Sequence, residues 1–494
     1  MQRDVSGGDV LRAAAQPAGG GASASAEGGA GAKADTRTQQ APGRREMNVA
    51  VLKTKAEQTL SEAFADRAAA LPGSPDIRKL RLNAIGRFNA LGLPHRRIEE
   101  WKYTDLRNLM KELLPASSGK APLPTQQDVE AALGPLASVP AHRVVFVDGR
   151  YAPDLSALVA DGDVTVASLA TLLDSDTSAV ELLDASRTDD NAIVALNIAY
   201  AGDGAVIDIA PGATLDRPVL IVALRADPSA SSTTTRNVVR VGEGAEATVI
   251  EAFLKLPSAA KEYQLNTASK VVVGKGARLA HIKTTLEAGG GVHLANWLVE
   301  LGPDAAYRGF HFTAGTALAR NEMAVTFAGK GGDLDLSGTF LARHGEHIDT
   351  TLVVDHAVPN CISRELFKGV LDDHARGIFQ GKVIVRKDAQ KTDGKQMAQV
   401  LMLSQDCEFD SKPELEIYAD DVVCGHGSTS ADLDEDLLFY CRSRGIPLQQ
   451  ARALLIKSFI GEALEKIERE DVREALAEIA RGWLHMEEPR TGAA

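Results

Sequence analysis

Cysteine is scarce in this 494-residue chain, and the four present, Cys361, Cys407, Cys424 and Cys441, never form a CxxC pair. That spacing gives no sign of a disulfide framework or a zinc ribbon and fits a reducing compartment. Basic residues are outnumbered, 54 Lys and Arg against 67 Asp and Glu, for a formal net charge of -13. Nucleic acid and anionic membranes are therefore not expected as partners, because neutralising phosphate needs clustered positive charge. No run approaches the roughly 18 apolar residues of a membrane span, and the start of the chain lacks the apolar core of a secretory signal. A cytoplasmic location is the expectation. The chain also has no Walker GxxxxGK[ST] loop, no GxGxxG after a strand, no GxSxG elbow and no HExxH. It carries no ATP site and no obvious catalytic engine.

What is present divides the chain by texture. Residues 1–46 are rich in Ala, Gly, Ser and Gln and cannot bury enough apolar surface to offset chain entropy, so disorder is expected there. Asp4, Asp9, Glu27, Asp35 and Glu46 spoil an organellar transit pattern, and Met47, where periodic sequence begins, is a candidate start. Residues 47–140 read as an N-terminal helical domain, with helix formers on both sides of Pro72, Gly73 and Pro75. The exit of its second helical stretch, Gly92–Leu109 (GLPHRRIEEWKYTDLRNL), sets charges around Trp101 and Tyr103, and an aromatic anchor is the preferred reading over a ligand site.

Residues 141–427 change to short Val, Ile, Leu and Thr runs separated by Gly, Asp and Pro. Within them PGATLDRPVLI, EGAEATVIEAF and KGARLAHIKTT place Gly212, Gly244 and Gly276 at a fixed spacing of 32. A repeated glycine turn followed by a strand is the mark of a solenoid, whose coils bury their apolar faces only against each other. A β-sandwich would also give short strands, but it does not predict evenly spaced Gly-Ala turns. The fold class is thus mainly β, a parallel β-helix between helical ends. Residues 428–488 return to helical period and residues 489–494 form a tail. Thr429 to Asp432 has capping-box form before DLDEDLLFYCRSR, and the helix from Leu448 has an apolar face wider than one stripe.

The chemistry-bearing candidate is DDVVCGHGST, residues 420–429, where Cys424 and His426 stand two apart between glycines at the expected strand-to-helix turn. Thiol and imidazole are soft to borderline metal ligands, and on an extended chain both would share one face. The pair also fits a bland reading, a small buried Cys and a His that caps a helix. Two ligands fall short of any zinc site, so an intersubunit site completed by a partner is one resolution. Asp372, Asp373 and His374 suggest a metal or acid-base cluster but read better as a solvated loop. Asp420 and Asp421 point to opposite faces, and Cys407 has acidic neighbours that disfavour a thiolate.

Several of these segments carry a resemblance. Gly92–Leu109, Val144–Leu158 (VVFVDGRYAPDLSAL), Gly377–Ser404 and above all Lys412–Gly445 resemble the SufB/SufD family of iron-sulfur cluster assembly scaffolds, over nearly the whole stretch from Met47 to Met486. The resemblance implies a right-handed parallel β-helix flanked by helical domains and a non-catalytic scaffold subunit of a SufBCD complex. It implies a heterodimer with a SufB-type subunit and docking of SufC-type ATPases on the C-terminal helices, where Leu455, Phe459 and Ile460 are the expected contacts. It further implies that His426, with Cys424 beside it, lies at the subunit interface and holds iron or a transient iron-sulfur cluster there. The sister's cysteine would fall in Gln396–Leu401, but that run here is QMAQVL, which places this chain on the SufD side. Homodimer formation, a flavin in the complex and the chemical or structural role of Cys424 are left open.

Two other readings differ in kind. A β-helix carbohydrate-active enzyme would need facing carboxylates and usually export, and a purely architectural subunit would never touch iron.

Overall fold

The computed structural model describes residues 53–485 apart from 120, 159–161, 176–178, 184–189 and 288. The expected disorder of residues 1–46 and the tail 489–494 lie outside the described residues.

Alternating apolar residues from Val219 onward form a parallel solenoid in which successive strands go to opposite sheets. One sheet has ten strands and runs from Val423–Ala431 at one edge to Arg150–Tyr151 at the other. The facing sheet has nine strands and runs from Glu408–Ile417 to Val164–Ser168. Pairing is parallel except at the first ends, where His142–Val147 meets Arg150–Tyr151 and Val164–Ser168 meets Ala205–Ile209 antiparallel. Inward residues such as Val249, Leu279, Tyr307, Leu336, Phe367 and Ala398 fill one core along the axis.

The repeat seen in the sequence is a column of left-handed corners. Gly212, Gly244 and Gly276 have φ of 72°, 67° and 63°. The N–H of each donates to the next coil, to the carbonyls of Glu243, Lys275 and Pro303 at 2.8–2.9 Å. The column continues where the glycine signal stops: Asp304 (φ 55°), Asn360 (φ 62°) and Lys391 (φ 64°) take the same conformation and donate to Lys330, Gln390 and Asp421. Local hydrogen bonding lets Asp and Asn adopt this region, so the repeat persists in three dimensions after it fades in one.

Helices cover the solenoid. Thr54 caps Lys55–Glu62 in a capping box with Glu57, and Ser74 with Pro75 opens Pro75–Leu91, which Gly92 ends at φ 72°. Three helices, Leu169–Ser175, Val180–Leu183 and Ala192–Tyr200, interrupt the stretch read as strand. Every residue of Ala192–Tyr200 is buried, so its sequence has no polar face to reveal a helical period.

Strand structure extends to Ala431, and Val423–Ala431 pairs residue for residue with Asp393–Leu401. This corrects the expected capping box: Thr429–Ala431 is strand, and Asp434 caps Glu435–Ser443, accepting from the Leu437 N–H at 3.0 Å. Ladder bonds claim the earlier backbone, so the helix starts at the first segment free of the sheet. Leu448–Leu464 and Glu470–His485 then pack on the outside of the ten-stranded sheet through Ile456, Ile460, Ala463 and Leu476.

Candidate functional site

The last two strands, Glu408–Ile417 and Val423–Ala431, are the free edges of their sheets. Among the described residues no coil follows them, so the solenoid ends open, with unpaired backbone groups and a partly exposed inner face. Cys424 and His426 both lie on the second of these strands and on the same side of it, since they are two residues apart in extended chain. The pair is therefore not in a turn at a strand-to-helix junction; it is held in register by the sheet.

Cys424 is half-buried and packs against the inner core. Burial pushes its thiol up, and the charges of Asp393 and Glu365 add to that, so the thiol stays protonated near neutral pH. His426 is exposed. Opposite them on the neighbouring strand are Gly394, paired with Cys424, and Gln396, paired with His426. One strand deeper, Glu365 pairs with Gln396, so Glu365, Gln396 and His426 form a row across three strands on the inner face. Glu365 is 2% exposed and Gln396 3%. Neither oxygen of Glu365 and neither end of the Gln396 amide has a hydrogen-bond partner. Burial raises the Glu365 carboxyl to about 8, and the nearby Ser363 hydroxyl, which does not reach hydrogen-bond geometry, and the Arg364 charge offset only part of that rise. Sequence reading missed Glu365, because an acid within an alternating strand looks like a solvent-facing residue.

The other singled-out residues fall elsewhere. Cys361 is fully buried and Cys407 nearly so, each with its thiol raised first by burial. Asp373 sits at a left-handed corner (φ 51°) and pairs with His344 Nδ1 at 2.8 Å on the neighbouring coil. Among the described residues no group of three or more His, Cys, Asp or Glu is arranged to hold a metal. Trp101 is an anchor: its ring lies beneath the Arg320 guanidinium, and Arg320 Nη2 and Gln380 Nε2 donate to the Glu100 carbonyl at 2.9 and 3.2 Å. Ile460, expected at an ATPase contact, is 1% exposed and packs toward the solenoid, with Leu455 and Phe459 half-buried beside it. The Lys368 ammonium lies 4.3 Å from the Phe459 ring centroid. The large apolar residues that this region turns to solvent are Leu437, Phe439, Tyr440, Leu448 and Leu454.

Comparison with known proteins agrees with this architecture. A family model described as the SufBD core domain of the SUF system for FeS cluster assembly matches residues 224–459, and the SufBD N-terminal region matches residues 54–221. The iron-sulfur cluster assembly protein SufD of Escherichia coli is 32% identical over 386 residues, 78% of this chain and 87% of that protein. A SufBD family iron-sulfur cluster assembly protein of Synechocystis is 30% identical, covering 78% of this chain and 86% of its own. The chloroplastic protein ABCI7 of Arabidopsis thaliana is 32% identical over half of this chain. The chain belongs to the SufBD family of iron-sulfur cluster assembly proteins, and within it is SufD-like.

Proposed function

We propose that this chain is the SufD-like scaffold subunit of a SufBCD complex, pairing with a SufB-type subunit and docking SufC-type ATPases. In this reading His426, with Cys424 beside it, supplies half of an interface site where iron enters and a cluster is built. The observation that carries it is the placement of an exposed imidazole and a half-buried thiol on the last strand of the solenoid, whose outer edge is free. Two donors leave coordination positions unfilled, and an edge strand is where a second chain can add backbone and side chains. Iron and the nascent cluster are cargo here, and this chain breaks no substrate bond.

ATP binding draws two SufC-type subunits together, the C-terminal helices pass on that motion, and the interface opens to admit iron. The docking surface is the exposed set Leu437, Phe439, Tyr440, Leu448 and Leu454, because Leu455, Phe459 and Ile460 are turned toward the solenoid. The complex works in the cytoplasm. Expression of His426→Ala in cells that depend on this complex tests the role of the imidazole. Normal complex formation with lost cluster assembly is expected; full assembly activity overturns it. Recovery of a SufB-like chain and a P-loop ATPase with the tagged chain tests the partners.

A further inference from the structure

Two buried polar side chains beneath His426 lack partners, which is unusual because a buried polar group without a hydrogen bond costs roughly 1–3 kcal/mol. Glu365 and Gln396 are adjacent in register, and Gln396 is adjacent to His426. Neighbouring strands lie ~4.8 Å apart, and same-face side chains in one row are within reach of each other. The opposite wall of the lumen supports the Gln396 amide. Gly381 sits there, and a Cβ at Gly381 would collide with both ends of that amide. The missing side chain therefore keeps open the space in which the amide lies.

We propose that Glu365, Gln396 and His426 form an orienting relay, in which Gln396 Oε1 accepts the inner N–H of the imidazole and Gln396 Nε2 donates to the Glu365 carboxyl. The relay rests on the role proposed above for His426 and names the residues that prepare it. Fixing the proton on the inner nitrogen leaves the outer nitrogen bare and pointed at the open end of the solenoid, where cargo iron and a partner chain would meet it. Metal-binding histidines are commonly held this way by a carbonyl or carboxylate on their other nitrogen. Gln396 and Glu365 are positioning residues here, not ligands.

The test uses the full chain with 15N-labelled histidine, reading the tautomer of His426 from long-range proton-nitrogen correlations. The His426 signal is assigned by its loss in His426→Gln. One tautomer should dominate in the unaltered protein. Gln396→Met, close in shape but unable to accept, should give both tautomers, and Gly381→Ala, which displaces the amide without touching the imidazole, should do the same. Gln396→Glu restores an acceptor and should restore the single tautomer. Anaerobic titration with ferrous iron should show affinity falling ~10- to 100-fold in Gln396→Met. A tautomer distribution unchanged between the unaltered chain and Gln396→Met overturns the relay. Retained cluster assembly in His426→Ala, with the tautomer shift present, overturns the role of His426 and leaves the relay as geometry.

Discussion

The Arg320 guanidinium lies 3.8 Å from the centroid of the Trp101 ring, joining the N-terminal segment to the outer face of the solenoid. The same guanidinium pairs with the fully buried Asp349, to which the Thr104 hydroxyl also donates, while Thr104 Oγ1 lies 2.9 Å from His347 Nε2. At the terminal coil, Lys412 pairs with Glu99 at 2.5 Å. The charged cluster around Trp101 is thus a clasp, which is why an aromatic sits among so many ionic residues.

Trp101→Ala removes a buried ring and the face on which Arg320 stacks. It should destabilise the chain by ~3–5 kcal/mol, the usual range for a buried aromatic truncated to Ala. Arg320→Met should cost a similar amount, because it strands the Asp349 carboxylate in the interior. Urea unfolding followed by circular dichroism measures both, and a loss below about 1 kcal/mol for Trp101→Ala would contradict the clasp.

Stability should pass through a maximum between mildly acidic and mildly alkaline pH. Burial lowers His347 and His356 from 6.5 to about 4. Their depressed folded values give a contribution that is present above pH ~6.5 and lost as pH falls toward 4, where the unfolded chain binds the protons. Glu365 runs the other way: raised from 4.5 to about 8, its contribution is present below pH ~4.5 and lost as pH rises through 8. Thermal unfolding across pH 4–9 measures the profile, and Glu365→Gln should flatten its alkaline side.

On the C-terminal helices, Ile460→Asp and Phe439→Ser should separate folding from docking. Ile460 is 1% exposed, so a carboxylate there should destabilise the packing of Leu448–Leu464 by several kcal/mol. Phe439 is 74% exposed, and Phe439→Ser should leave the melting temperature within a degree or two while reducing recovery of the ATPase partner. Undiminished ATPase recovery in Phe439→Ser would remove that residue from the proposed docking surface.

Gly276→Ala isolates the cost of the corner column. A Cβ at Gly276 meets nothing within 4 Å, so the penalty is conformational. A left-handed residue with a side chain costs ~1–2 kcal/mol, and equilibrium unfolding should show a loss of that size. No measurable loss would mean that the corner relaxes away from φ 63°.

The sequence by itself determined the solenoid, because glycine corners at a fixed spacing and strands of alternating apolar residues can bury their faces only by stacking. It also determined the N-terminal helix ends, where Thr54, Ser74, Pro75 and Gly92 each fix a local backbone geometry. Ala192–Tyr200 was illegible as a helix because burial on all sides erased its period. The start of the helix at Glu435 was misplaced because strand pairing with Asp393–Leu401 outcompeted a local cap. Cys424 and His426 could be named from their residue types, but only tertiary structure decided what stands behind them. Gln396 and Glu365 lie about thirty and sixty residues earlier in the chain, and they reach His426 only because each coil returns the backbone to the same register. The orientation of Ile460 and the exposure of Phe439 were likewise decided by which face of a broadly apolar helical region found the solenoid first to bury against.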